Sequence, residues 1–306
     1  MIILFITLYI MEELSIICVA TSDEGYLDVL RKNAKDKNIN LYVLGYGEKW
    51  QGLWWKSKKY LEYLDNCEPN EIVMIVDGYD VIIPGTKNGI VNKFKNFDTD
   101  IVISCEPTLS YINNTIYTNS HFYTSKKYFN CKTEYLLNSG TIIGYADKMK
   151  ILFQRMLDYN IKNNIKSDQY ALNSIKKDDI DYKLDIYSEI FWVWHSSSFY
   201  DLFYEKINKN LPNNLYDVKI DENKRPIFKN GVMPEIIHGV SQRDMRSFID
   251  DDNYKHRSRE KAQRIKVEEY NNNTNRNYSY YVYCIIIIVL AYFIYCKCKK
   301  VLITNI

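Results

Sequence analysis

Two carboxylates stand close together at the end of an apolar stretch, and their spacing suits the binding of a divalent cation. In the segment EIVMIVDGYDVIIP, residues 72–76 form a short run rich in β-branched side chains, which predicts a buried strand. Asp77 and Asp80 follow it, with Gly78 between them. Because ligands bind at the carboxyl ends of strands in open α/β sheets, the pair predicts a hard cation held by oxygen ligands. The same residue types also form ordinary tight turns, so DxxD alone leaves both interpretations open.

The composition limits the class of protein. The chain has 306 residues, of which 46% are hydrophobic, so it can form one large domain or two small ones. Its 40 Lys and Arg residues are balanced by 38 Asp and Glu residues, so no nucleic-acid partner is predicted. None of the cysteines before the C-terminal tail has metal-ligand spacing, so neither a zinc site nor a dense disulfide framework is indicated.

Alternating strand and helix patterns predict how the carboxylates are positioned. Short apolar runs bounded by polar residues predict strands at residues 14–21, 40–47, 72–76, 100–105 and 136–146. Patterns with a helical period separate the first four of these strands, and the second of these helices is predicted at residues 56–64. This order is typical of an α/β fold with a mostly parallel central sheet and helices on both faces.

Three further segments contribute to the predicted site. Residues 167–177 predict an N-capped helix with Asp168 and Gln169 in its first turn, where the helix dipole favours an anion. His238 directly follows a short apolar run. Residues 106–135 are aromatic and polar without a clear period, which predicts an insertion lying over the edge of the sheet.

Seven short motifs occur in a fixed order between residues 14 and 244. They are CVATSDEGYLDVLR, LGYGEKWQG, IVDGYDVI, VISCEP, LNSGTIIGYA, SDQYAL and IIHG. As an ordered set they resemble the glycosyltransferase domain of the multifunctional collagen lysyl hydroxylases and the related collagen glucosyl- and galactosyltransferases. The resemblance implies a GT-A-type, Rossmann-like fold that binds a UDP-sugar through Mn²⁺.

The resemblance also implies roles for individual residues. Asp77, Asp80 and His238 fall on the metal ligands of the family. Trp50 and Tyr79 fall on residues that contact the nucleotide. Two carboxylates and one imidazole leave coordination positions free for the oxygens of a diphosphate, so the residue types agree with the implied metal site. Trp50 and Tyr79 offer flat apolar faces on which a uracil ring can stack.

Other residues are assigned to the donor and to catalysis. Lys56 matches a lysine near the donor phosphates, and Asp168 matches an acid of the catalytic pocket. Asn138 is a second candidate catalytic residue, since its amide can hydrogen-bond sugar hydroxyls. The remaining residues assigned to donor binding are Ser139, Gly140 and Gln169.

Each of these assignments has a structural alternative when the residue is considered alone. His238 can be a structural histidine, and Trp50 and Tyr79 can serve packing in a chain rich in aromatic residues. Asn138 is also a turn-forming residue type, and Asp168 is also a favourable first-turn helix acid. The sequence alone leaves these alternatives open.

The predicted function is transfer of glucose or galactose from UDP-glucose or UDP-galactose to a hydroxyl acceptor, with Mn²⁺ as cofactor. Hydroxylysine or galactosyl-hydroxylysine of a collagen-like protein is the acceptor that the resemblance implies, and residues 106–135 are a candidate acceptor surface. The chain departs from the family pattern at two of these motifs. Ser167 stands where the family tends to have acidic residues, and the segment after the His-Gly pair differs, with Arg243 as a candidate substitute phosphate contact. The alternative is a catalytically inactive transferase-fold module that binds sugar or protein.

The chain is predicted to have five parts. These are an apolar leader at 1–13, the glycosyltransferase domain at 14–250, a polar linker at 251–279, a transmembrane helix at 280–296 and a short tail at 297–306. The role of the leader is left open. Residues 280–296 are continuously apolar and followed by lysines, which is typical of a short membrane span; the alternative is a buried C-terminal helix. The prediction places the protein in an ER-like endomembrane or a host-cell membrane, with the side of the catalytic domain left open.

Overall fold

The computed structural model describes six ranges of the chain: 13–105, 135–175, 180–194, 218–228, 230–240 and 245–249. All of them belong to one compact unit, Met1–Arg257. Most of the predicted insertion at 106–135 lies outside these ranges, as do the predicted linker and membrane helix. Among the described residues, no helix combines the length and the apolar character that crossing a membrane requires. The membrane anchor therefore stays a prediction from the sequence.

Strands and helices alternate along the first half of the chain. The strands are β1 (Leu14–Val19), β2 (Asn40–Leu44), β3 (Ile72–Asp77), β4 (Val81–Ile82), β5 (Ile101–Cys105), β6 (Leu137–Tyr145), β7 (Tyr182–Asp185), β8 (Phe191–Val193), β9 (Lys219–Ile220), β10 (Pro226–Ile227) and β11 (Ile236–His238). The helices are α1 (Leu27–Asp36), α2 (Leu53–Leu64), α3 (Lys87–Asn96), α4 (Ala146–Asn163) and α5 (Asp168–Ser174), followed by a 3₁₀ turn at Arg246–Phe248.

A six-stranded sheet with the order β2-β1-β3-β6-β5-β7 forms the centre of the fold. Strand β1 pairs in parallel with β2 and β3, and β5 pairs in parallel with β7. Strand β6 runs antiparallel to both of its neighbours, β3 and β5. The prediction of an α/β fold with a mostly parallel sheet is confirmed. Because β6 is reversed, its first residues lie at the edge where its neighbours β3 and β5 end.

A smaller sheet brings a distant histidine to this edge. Its order is β4-β11-β8, with β11 antiparallel to β4 and parallel to β8. The register places His238 opposite Val81, and the backbone N–H of Gly239 donates to the carbonyl of Asp80 at 2.8 Å. This pairing places the end of β11 beside the loop that follows β3.

The core lies on both faces of the central sheet. On β1, Ile16 and Cys18 belong to the cluster that includes residues of α1 and α3, whereas Ile17 and Val19 belong to the cluster that includes residues of α2, α4 and α5. Burial of both faces explains why the strands are continuous apolar runs. Each fully buried aliphatic side chain contributes about 1.5–3 kcal/mol of transfer free energy, so these clusters stabilise the edge that carries the polar residues.

Two element boundaries differ from the prediction. Strand β2 ends before Gly45, which has a φ of +71° and whose missing Cβ would lie 2.6 Å from the ring of Trp55. The ring of Trp55 takes this space, and Trp55 belongs to α2, which begins at Leu53, three residues before the predicted start at Lys56. Lys56 is one of the buried residues of this helix, together with Trp55 and Tyr60.

A buried carboxylate organises the turn between β7 and β8. Asp185 accepts hydrogen bonds from the backbone N–H groups of Glu189, Ile190 and Phe191 at 2.8, 2.8 and 2.7 Å. Burial raises the pKa of Asp185 to about 6, so its carboxylate is ionised at neutral pH and both oxygens act as acceptors.

The Asp185→Asn variant is expected to lower the free energy of unfolding by about 1–3 kcal/mol, because the amide nitrogen faces a backbone donor and leaves it unsatisfied. Urea denaturation at pH 7 measures the change. The matched control is Asp181→Asn, an exposed carboxylate that accepts one hydrogen bond from Thr99, for which a change within about 0.5 kcal/mol is expected. Equal stabilities of the two variants would contradict this role for Asp185.

Candidate active site

Three of the predicted residues meet at the edge of the central sheet. Asp77 ends β3, Asp80 precedes β4 and His238 ends β11. One ligand atom from each lies within 4.8 Å of the others. The Nε2 atom of His238 is 3.6 Å from Asp77 Oδ2 and 3.4 Å from Asp80 Oδ1. A divalent cation at about 2.0–2.6 Å from each ligand atom fits among atoms at these separations.

Glycines at two positions allow close packing around the candidate ligands. A Cβ atom on Gly140 would lie 2.2 Å from Cε1 of His238 and 2.6 Å from Oδ2 of Asp77. A Cβ atom on Gly78 would lie 2.8 Å from the carbonyl oxygen of Val19. Contacts this short do not occur, so both positions require glycine while the site keeps its present geometry.

The Gly140→Ala variant is therefore expected to displace His238 and Asp77 and to weaken Mn²⁺ binding at least about tenfold, as a ligand displaced from its position costs metal affinity. Calorimetric titration with Mn²⁺ measures the loss. Gly144→Ala supplies the control, because it makes the same change on the same strand, and the added Cβ would meet Asp100, Ile101 and Met149 instead of the candidate ligands. Unchanged Mn²⁺ affinity in Gly140→Ala would show that these side chains do not form the cation site.

A buried lysine connects the cluster to a third acid, Asp168. The Nζ atom of Lys56 lies 2.6 Å from Oδ1 of Asp77 and 2.7 Å from Oδ2 of Asp168. Burial acts to lower the pKa of Lys56, but the charges of Asp168 and Asp77 outweigh it and raise the pKa well above its usual value. Burial likewise acts to raise the pKa of Asp77, but Lys56 and His238 outweigh it and the pKa is lowered. Lys56 and Asp77 are therefore an ionised pair at neutral pH.

The position of Asp168 follows from the start of α5. Ser167 caps this helix by accepting a hydrogen bond from the N–H of Tyr170 at 3.1 Å, as a Ser N-cap is expected to do. Asp168 is the first residue of the helix, and its Oδ1 accepts from the N–H of Gln169 at 2.8 Å. Both carboxylate oxygens are engaged, so the side chain is held in one orientation.

Asn173 attaches α5 to the sheet and was not singled out from the sequence. Its Oδ1 accepts from the N–H of Leu137 at 3.0 Å, and its Nδ2 donates to the carbonyl of Leu137 at 2.9 Å. These two bonds join the helix that begins with Asp168 to the strand that continues with Asn138. The sequence did contain one indication of this role. Asn173 follows Gln169 by four residues, so the two side chains lie on the same side of the predicted helix.

Trp50 and Tyr79, the two predicted nucleotide contacts, differ in their surroundings. Trp50 is 41% exposed and packs edge-on against Trp55, with ring centroids 5.6 Å apart. The hydroxyl of Tyr79 accepts hydrogen bonds from the N–H groups of Thr21 and Ser22 at 2.7 and 3.3 Å. Although burial acts to raise it, the pKa of Tyr79 is lowered by these donors.

The residues at the start of β6 are buried at the same edge. The Oδ1 atom of Asn138 accepts from the N–H of Gly140 at 2.8 Å, a local bond that Asn side chains commonly form with the backbone two residues on. Asn138 and Ser139 are both buried, and Gln169 is half-buried. Arg243, the predicted substitute phosphate contact, lies outside the residues that the structure describes.

Comparison with known proteins places most of the chain in one family. Residues 10–237 match the model of the PLOD GT domain. The procollagen-lysine,2-oxoglutarate 5-dioxygenase of Drosophila melanogaster is 26% identical over 259 residues, which cover 78% of this chain and 32% of that protein. The human multifunctional procollagen lysine hydroxylase and glycosyltransferase LH3 is 34% identical over 108 residues, covering 31% of this chain and 14% of LH3. The chain thus spans about a third or less of the length of these relatives.

Among solved structures, the galactosyltransferase LgtC in complex with donor and acceptor sugar analogs aligns with a TM-score of 0.43 at 14% identity, covering 74% of this chain and 87% of LgtC. A score of this size does not support a comparison of sites. The family match covers all of the candidate site residues named above except Arg243 and His238, and His238 directly follows its last matched position. The chain therefore belongs to the family of the PLOD GT domain, the glycosyltransferase domain of the procollagen lysine hydroxylases.

Proposed function

We propose that this protein is a Mn²⁺-dependent glycosyltransferase that transfers glucose or galactose from a UDP-sugar to a hydroxyl group. The observation that carries the proposal is the cluster of Asp77, Asp80 and His238 beside the buried pair of Lys56 and Asp168. Carboxylate ligands suit Mg²⁺, Ca²⁺ and Mn²⁺, and the imidazole shifts the preference toward a transition metal such as Mn²⁺.

The three ligands would hold the cation at the sheet edge and leave its remaining positions to the donor diphosphate. When bound, the cation would neutralise the negative charge that develops on the leaving diphosphate as the glycosidic bond breaks. Asp77 would offer one carboxylate oxygen to the cation, because its other oxygen accepts a hydrogen bond from Lys56.

Other residues of this chain would orient the two substrates. Trp50 presents an exposed aromatic face on which the uracil ring can stack. Asp168, held by Lys56 and by the N–H of Gln169, would orient the donor sugar or accept a hydrogen bond from the acceptor hydroxyl. A carboxylate already fixed in one orientation loses little entropy when it takes up such a role.

For the acceptor we propose hydroxylysine or galactosyl-hydroxylysine in a collagen-like protein. The support is the family match together with the names of the relatives, which act on procollagen lysine. The acceptor assignment is independent of the metal chemistry, so the two parts of the proposal can fail separately.

The test is a screen of UDP-glucose, UDP-galactose and UDP-N-acetylglucosamine, each with Mn²⁺ or with a chelator. Each donor is tested in the presence and absence of a collagen-like peptide that carries hydroxylysine or, in a second series, galactosyl-hydroxylysine. Release of UDP from one of the first two donors only with Mn²⁺ is expected, with a larger rate when the peptide is present. UDP release without stimulation by the peptide would contradict the proposed acceptor but would leave the proposed glycosyltransferase activity supported. No UDP release from any donor would favour the inactive binding module.

A further inference from the structure

Lys56 joins the two parts of the candidate site. Its ammonium group lies within hydrogen-bond distance of both Asp77 and Asp168, and Lys56 and Asp168 are only 6% and 4% exposed. Asp77 uses Oδ1 for Lys56, while its Oδ2 faces His238. One buried positive charge is thus shared between a candidate metal ligand and the acid assigned to catalysis.

We propose that Lys56 is the internal counter-ion of the cation site, a positioning residue that sets the affinity for the cation and holds Asp168 beside Asp77. The inference rests on the proposed function, because it concerns the same site. It differs from a contact with the donor phosphates, the role that the resemblance implies, since such a contact would require no bond to Asp168.

The charges of the site explain why a counter-ion is needed. Asp77, Asp80 and Asp168 bring three carboxylates to one region, and burying several like charges without compensation is costly. Lys56 offsets one of these negative charges. The two that remain are equal in magnitude to the charge of a divalent cation. At the same time, an ammonium 2.6 Å from Asp77 repels the incoming cation, and this repulsion is strong in a partly buried site. Lys56 should therefore weaken cation binding in the absence of nucleotide.

Calorimetric titration with Mn²⁺, without nucleotide, distinguishes a counter-ion of the cation site from a contact with the donor phosphates. Lys56→Met is expected to bind Mn²⁺ about tenfold more tightly than the wild type, because a nearby positive charge is gone. Asp168→Asn is expected to bind Mn²⁺ severalfold more weakly, because the whole charge of Lys56 then acts on Asp77. The control is Lys58→Met, an exposed lysine on the same helix, whose affinity should equal that of the wild type.

Two further variants keep the inference testable if Lys56→Met fails to fold. Lys56→Arg keeps the charge and should bind Mn²⁺ within about threefold of the wild type, with part of the turnover retained. The double variant Lys56→Met/Asp168→Asn removes one positive and one negative charge together. It should melt at a higher temperature than Lys56→Met, because the buried Asp168 no longer remains as an acid without its lysine.

The inference is overturned if Lys56→Met and Asp168→Asn both bind Mn²⁺ with wild-type affinity while Lys56→Met binds UDP more weakly, as a simple phosphate contact would. If the wild-type protein binds no Mn²⁺ at all, the metal-dependent function fails first and this inference fails with it. The two failures are distinguishable, because the first leaves a working cation site and the second does not.

Discussion

Replacing Asp77, Asp80 or His238 by alanine should lower Mn²⁺-dependent release of UDP from the UDP-sugar by a factor of about 10²–10³ or more. Loss of one ligand from a three-ligand set weakens the cation that balances charge on the leaving diphosphate, and charge stabilisation of this kind is often the largest contribution to catalysis. Turnover at fixed Mn²⁺ and UDP-sugar concentrations measures the effect.

The matched control for this series is Asp65→Ala. Asp65 is an exposed carboxylate that pairs with Lys150 on the surface, so its loss should leave turnover unchanged. All four variants should remain folded at the assay temperature, because the candidate ligands lie at the edge of the sheet. Asp77→Ala should unfold at a lower denaturant concentration than the wild type, because it removes one of the two carboxylates paired with the buried Lys56. Full activity in any of the three ligand variants would remove that residue from the cation site.

Replacing Asp168 by asparagine should lower the single-turnover rate by a factor of about 10²–10⁴, the range found for general acid–base groups. The amide keeps the shape of the side chain but removes its charge and its ability to accept a proton. UDP affinity at saturating Mn²⁺ should change far less than the rate, because this acid is assigned to the sugar or the acceptor and not to the nucleotide.

The exposed acid Asp158 on α4, which accepts a hydrogen bond from Gln154, supplies the comparison variant Asp158→Asn. Its rate should match that of the wild type. A parallel loss of rate and UDP affinity in Asp168→Asn would assign Asp168 to nucleotide binding instead of to the transfer step.

Much of the sheet could be predicted because its signals are local. The apolar run before Asp77 identified β3 and placed the two carboxylates at its carboxyl end. The direction of β6 could not be predicted, because an apolar strand has the same pattern whichever way it runs. That direction matters, since it brings Gly140 against Asp77 and His238.

The contacts between distant parts of the chain were less accessible from sequence. The pairing of β11 with β4 brings His238 close to Asp80. No local sequence pattern indicates which strands pair, so only the resemblance to the family predicted that these two residues lie together. The bonds of Lys56 to Asp77 and Asp168 depend on which face of α2 is buried, and the start of that helix was predicted three residues too late. Helix starts without a side-chain cap are hard to place, and the residue before α2 is Gly52, which has no side chain to serve as a cap.

The measurement that tests the central claim most directly is calorimetric titration of UDP into the wild-type protein and into Asp77→Ala, each with and without Mn²⁺. If Asp77, Asp80 and His238 hold the cation that carries the diphosphate, UDP should bind the wild type far more tightly with Mn²⁺ than without it, and Asp77→Ala should lose this difference. UDP binding that is independent of Mn²⁺ and unchanged in Asp77→Ala would contradict the account, and would leave the DGYD segment as an ordinary turn.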